Sequence, residues 1–246
     1  MTIQKITALL ESCTGAAPRF PPTLLYNEGW LLRLVLDWFS AHPVPDHPLT
    51  CSENAQWFSE ALLPSPFLSR YKGDHLAETW THADGVIGHF QIGGKNRTGL
   101  SLAPAATQLV VLEAKLFSGL SVSVKNALYY DQAARNVACI AEVLYRADRR
   151  AVDMTQLGFY LLAPQAQIQK GVFAKQLCPA SISHKVAQRV AAYEGTKEQW
   201  HREWFQSTLP ALKIGLISWE EIIATVQKCD PVAGVGLKEF YQKAQM

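Results

Sequence analysis

Charge is scarce in this chain. Asp, Glu, Lys and Arg make up 18% of its 246 residues against 48% hydrophobic, so the long polar tracts that keep a segment disordered are missing. Equally absent is any run approaching the roughly 18 apolar residues of a membrane span. The opening stretch, Met-Thr-Ile-Gln-Lys-Ile-Thr-Ala-Leu-Leu-Glu, is amphipathic and carries a glutamate where a secretory leader has its apolar core. No C-x-x-C or Cys/His cluster occurs. The five cysteines, at 13, 51, 139, 178 and 229, are odd in number and widely spaced, which argues against a zinc site or a disulfide framework. There is no G-x-S-x-G elbow and no Walker spacing, and the seven histidines show no metal-ligand spacing. The expectation is a cytoplasmic protein outside the membrane, with reduced thiols. A net charge of +2 permits a polyanionic partner without demanding one.

What is present is an apolar chain long enough to bury a sizeable core. Its most telling stretch is Gln108-Leu109-Val110-Val111-Leu112-Glu113-Ala114-Lys115-Leu116, which reads as a buried strand. Alternation puts Glu113 and Lys115 on one face and Leu112, Ala114 and Leu116 on the other. A carboxylate and an ammonium at the end of a buried strand are costly unless they pair or bind something. A second strand is expected over Asp84–Ile92, led by a carboxylate. A hairpin of the two brings two carboxylates and a lysine together, the donor set for a hard cation beside a water-positioning group.

Further along the sequence, the 3.6-residue spacing predicts helices over 3–12 and 24–40, the second with Glu28 on its apolar face. That carboxylate either looks toward the site or pairs with Arg33 or another cation. Thr50-x-x-Glu53 has the form of a capping box and predicts a helix to Leu63. A short helix over 74–80 and a long one over 124–146 follow, the latter with Gln132 and Asn136 one turn apart, and Arg146, Arg149 and Arg150 suit its C-terminal dipole. Leu157–Ala163 is the next strand. Gly93-Gly94-Lys95-Asn96-Arg97-Thr98-Gly99 between the hairpin strands suits close approach to phosphate, although a solvated hairpin tip is the plainer reading. Beyond Pro164 the pattern is helical, over 183–193, 196–206, 218–228 and 236–244. Trp200, Trp204 and Trp219 there fit core packing better than base stacking, and His82 and His89 flank the Asp84 strand.

Asp84 followed by Glu113-Ala114-Lys115 on an apolar strand, and then by a helix carrying Gln132, resembles the PD-(D/E)XK, or restriction-endonuclease-like, nuclease superfamily, over roughly residues 20–165. The resemblance implies an α/β fold: a restriction-endonuclease-like core, a central mixed β-sheet flanked by helices in the order α–β–β–β–α–β, over 1–170, with an α-helical C-terminal extension over 171–246. It further implies Mg²⁺, with Mn²⁺ as the substitute, held by Asp84, Glu113, the Ala114 carbonyl and Glu28. Catalysis would fall to Asp84, Glu113, Lys115 and Gln132. Lys95, Arg97 and Asn136 would touch the nucleic acid, DNA ahead of RNA, and the low net charge leaves room for a protein partner that supplies specificity. The alternative from another class is a non-catalytic nucleic-acid-binding or scaffold subunit built on the same fold.

Overall fold

The computed structural model describes residues 2–12, 21–93, 97–123 and 127–246. Its centre is a five-stranded mixed sheet in the order β1-β2-β5-β6-β7. The strands are β1 (Gln56–Leu63), β2 (Thr81–Gly88), β5 (Gln108–Ala114), β6 (Gln156–Ala163) and β7 (Lys213–Ser218), and a two-stranded ribbon of β3 (Phe90–Ile92) and β4 (Leu100–Leu102) stands apart. β2 runs antiparallel to both of its neighbours, β1 and β5, whereas β5, β6 and β7 run parallel. Parallel strands are normally covered on both faces. Accordingly β5 is buried at every position and β6 at all but its first.

One face is covered by α2 (Glu28–Ala41), α9 (Trp219–Cys229) and α10 (Pro231–Ala244), which pack around Leu112, Ala114, Tyr160 and Leu162. The other is covered by α3 (Gln132–Arg146) and α6 (Pro179–Ala191), around Val86, Val111, Phe159 and Leu161. The short helices α4 (Gln165–Gln169) and α5 (Ala174–Leu177) and a helical run from α7 (Glu198–Trp200) through a π segment, His201–Phe205, to α8 (Gln206–Thr208) complete the shell. α1 (Thr2–Ser12) lies where the periodicity puts it. Among the described residues no helix is long and apolar enough to cross a membrane, and Cys51, Cys139, Cys178 and Cys229 are free thiols. Cys13 lies outside the described residues.

Several sequence expectations are corrected. The helix expected over 50–63 is strand β1, because Gln56–Leu63 finds a ladder partner in β2 and long-range pairing outweighs a local capping pattern. Residues 74–80 form turns, joined to Leu68 by an isolated bridge at Glu78. The helix expected from 124 begins at Gln132, where the Asp131 carboxylate accepts the Ala134 N–H at 3.0 Å and caps it. Likewise α2 starts at Glu28 and not at 24, capped by Asn27. Glu28 therefore sits in the polar first turn, where a carboxylate complements the helix dipole, and not on an apolar stripe. The expected Asp84–Ile92 strand starts at Thr81 and breaks at Gly88, whose φ of +150° and 2.2 Å approach of a would-be Cβ to the Gln108 carbonyl exclude a side chain. Finally, the segment expected to be an all-helical extension supplies β7, an edge strand of the central sheet.

One irregularity lies beside the site. β1 and β2 keep their register throughout, yet Glu60 has a φ of +60° and its pairing with Asp84 is missing from the ladder. Thr81 and Ala83 face α3, whereas Gly85 faces the Leu32 and Leu36 side chains of α2. Residues two apart should share a face, so the pair of strands reverses its faces at Glu60 and Asp84. That reversal leaves Asp84 at the bend with its carboxylate free to reach β5.

Candidate active site

The site forms at the C-terminal end of β5. Glu113 points to the α3 side and is 1% exposed. A buried carboxylate has to be satisfied, and here the donors come from three directions. Lys115 Nζ donates to Glu113 Oε1 at 2.5 Å. Gln132 Nε2 donates to the same oxygen at 2.5 Å, and Asn136 Nδ2 to Oε2 at 3.3 Å. Because α3 starts at Gln132, its first and second turns present these two amides to the sheet.

Gln132 is itself fixed, since its Oε1 accepts the Ser121 N–H at 3.1 Å and its own N–H donates to the Ser121 carbonyl at 3.0 Å. Asp84 approaches from β2. Its Oδ2 accepts the Ala114 N–H at 2.8 Å and lies 3.9 Å from Lys115 Nζ. Lys115 has its backbone pinned on both sides: its N–H donates to the Leu162 carbonyl at 2.8 Å, and its carbonyl accepts the Trp219 indole N–H at 2.9 Å.

The electrostatics are those of too many acids for one base. Burial first, and then the negative charge of Asp84, push the Glu113 carboxyl well above its usual range in spite of Lys115. Burial works against the Lys115 ammonium, yet the charges of Glu113, Asp84 and Glu28 together raise its pKa. Glu28, half-buried, thus adds a third negative charge around the same lysine. Only Lys115 and Asp84 of the central trio reach solvent, with side chains 13% and 25% exposed.

The structure therefore brings together Asp84, Glu113, Ala114, Lys115 and Gln132, with Glu28 at the rim. Asn136, expected at a nucleic-acid surface, is fully buried and positions Glu113 instead. Arg97 is exposed in the turn before β4, and Lys95 lies outside the described residues. His82 is exposed and 3.9 Å from Glu60. His89 is tied into the opposite end of the sheet, its Nδ1 accepting the Thr107 N–H at 3.2 Å. Trp200, Trp204 and Trp219 are buried in the core. Two features escaped the sequence reading. One is the Trp219 clamp on Lys115, from 104 residues away. The other is a cleft of about 490 Å³ beside Gln132, lined by Thr79, Trp80, His82, Ser121 and Arg135 among others. The only sequence signal for the cleft was an aromatic residue placed immediately before the Asp84 strand.

Compared with protein-family models, with curated proteins and with solved structures, the chain matches none.

Proposed function

We propose that this chain is a metal-dependent phosphodiesterase of the restriction-endonuclease-like kind, acting on nucleic acid, with DNA ahead of RNA. The observation that carries this reading is the shared lysine. Two carboxylates from neighbouring antiparallel strands face one ammonium at a strand end, with a third acid beyond, which leaves negative charge to be neutralised. With the separate β3–β4 ribbon set aside, the succession α2, β1, β2, β5, α3, β6 of the central sheet and its helices supports it too, being the order that the motif's resemblance implies.

No group of three or more His, Cys, Asp or Glu side chains among the described residues is arranged to hold a metal ion. Mg²⁺, however, is commonly held by one or two carboxylates with waters and substrate phosphate completing its shell. Asp84 and Glu113 supply that minimum of hard oxygen donors, and the residues fit. Mg²⁺ or Mn²⁺ bound there would supply Lewis-acid polarisation of the scissile phosphate and a more acidic water. Lys115 orients the attacking water and meets the charge that develops on the phosphate. Gln132 and Asn136 hold Glu113 in register, and Ala114 holds Asp84 through its N–H. Trp219 fixes the backbone from which Lys115 extends.

A second reading, a non-catalytic nucleic-acid-binding or scaffold subunit, draws on the same hydrogen bonds. Both Glu113 oxygens already accept from protein donors, and Lys115 would then be a permanent counter-ion. Cleavage assays on labelled single- and double-stranded DNA and RNA, with Mg²⁺, Mn²⁺ or EDTA, separate the two. The expected result is metal-dependent cutting that falls at least about a hundredfold in Glu113→Ala and in Lys115→Met. Undiminished cutting in Glu113→Ala would overturn the assignment, and no cutting under any condition would favour the second reading.

A further inference from the structure

The cleft beside Gln132 has a shape and chemistry that the carboxylate cluster does not use. We propose that it seats one unpaired nucleotide, so that the chain engages single-stranded nucleic acid or a frayed end in preference to an intact duplex. The placement of that nucleotide next to the scissile phosphate rests on the phosphodiesterase reading; its binding does not.

The argument begins with size. At about 490 Å³ the cleft falls within the range of about 300–1,000 Å³ typical of small-molecule sites, enough for a base with its sugar and far too little for paired strands.

Chemistry comes next. Trp80 is half-buried and stands between this cleft and a second, smaller hollow that contains Arg146. The Arg146 guanidinium lies 5.8 Å from the Trp80 ring centroid and braces the indole from the hollow. Arg135 fixes the Trp80 backbone, its Nη2 lying 3.1 Å from the Thr79 carbonyl and 3.5 Å from that of Trp80. A braced indole on a cleft wall is a stacking platform for a base of any sequence.

Charge points the same way. Glu78 is shared between Arg189, at 3.1 Å, and Arg135, at 3.4 Å. Arg135 lines the cleft and Arg189 lies buried behind its wall, so the two guanidiniums outnumber the one carboxylate they share and the wall does not repel a phosphodiester. Gln132 belongs both to the cleft and to the Glu113 hydrogen-bond set. A strand with its base on Trp80 and one phosphate near Arg135 therefore runs its neighbouring phosphate toward Lys115 and Asp84.

The test is a fluorescence-polarisation titration of the full chain in EDTA, where cutting does not interfere. The probes are a labelled oligo-dT, an oligo-rU and a blunt hairpin duplex. Both single strands are expected to bind at least about tenfold more tightly than the duplex. Trp80→Ala should weaken them roughly ten- to hundredfold while leaving the duplex unchanged, and Trp80→Phe should retain most of the affinity. Thr79→Glu, at an exposed position of the cleft, should also weaken single-strand binding at an unaltered melting temperature.

The proposal is overturned if no probe binds. It is equally overturned if the duplex binds as well as the single strands, or if Trp80→Ala and Thr79→Glu leave single-strand affinity within about twofold. The two readings fail separately. Trp80-dependent binding without any metal-dependent cutting removes the phosphodiesterase and keeps the cleft. Cutting with binding indifferent to Trp80 does the reverse.

Discussion

Glu78 and Glu113 are two of the carboxylates buried on the α3 side of this protein, and their surroundings differ in one respect. Glu78 has a side chain 3% exposed and meets two guanidiniums, Arg189 and Arg135, with Ser65 Oγ donating at 3.1 Å. Arg189 is fully buried, donates to the Leu76 carbonyl as well, and has its guanidinium 5.3 Å from the Phe67 ring centroid and 5.5 Å from that of Tyr193. Glu113 meets one ammonium, two neutral amides and a second acid. Burial raises the carboxyl pKa in both places. At Glu78 the neighbouring charges oppose that rise, whereas at Glu113 the charge of Asp84 adds to it. One cluster is over-supplied with cations and rigid. The other lacks positive charge at a point open to solvent, an imbalance that a bound cation would offset.

The contrast is broken most severely from the structural side. Arg189→Leu leaves Glu78 buried with a poorer partner and should cost about 3–5 kcal/mol, read in urea unfolding; a loss under about 1 kcal/mol would mean that the pair holds nothing. On the functional side, Mg²⁺ at a hundredfold excess over its Kd should stabilise the wild type by about 2.7 kcal/mol and leave Glu113→Gln unmoved. Equal shifts in both proteins would place the ion elsewhere. Trp219→Phe, which removes the donor to the Lys115 carbonyl, should cost about 1 kcal/mol and lower cutting together with it. Cutting at the wild-type rate would show that the clamp has no part in placing Lys115.

The smallest effect is one of pH. With its folded-state pKa above 4.5, Glu78 keeps its proton longer in the folded chain than in the unfolded one. Its contribution to stability is therefore fullest below pH 4.5 and declines as pH rises through the folded value. Glu78→Gln should flatten that decline in a series of melting curves, and a wild type that gains stability across the window relative to the variant would contradict the sign.

The same contrast explains what the sequence made legible. Glu113 and Lys115 stood out because charge interrupts an apolar strand, and Asp84 because it accompanies the neighbouring one. β6 and the Ser218-capped α9 were readable from local pattern alone. β1 was not. Its apolar alternation is disturbed where the left-handed Glu60 reverses the strand's faces, and Thr50-x-x-Glu53 offered a helical start that the ladder with β2 overrides. β7 is six residues long with its first four not fully buried, too short and too mixed to announce a strand. Asn136 was placed on the right helix face but assigned to the wrong neighbour, since a buried amide and a surface amide look alike until the sheet is laid against them.

β7 and Trp219 also set an order of events during synthesis. Strands β1, β2 and β5 leave the ribosome well before the segment that covers the exposed edge of β6 and supplies the indole for Lys115. Domains assemble as units, and parallel pairing over long sequence separations is slow. The growing chain thus carries its acids and its lysine through the 104 residues that separate Lys115 from Trp219 without the part that fixes the lysine's backbone. A fragment ending after β6 would hold Asp84, Glu113, Lys115 and Gln132 and still lack the Trp219 indole that anchors the lysine's backbone.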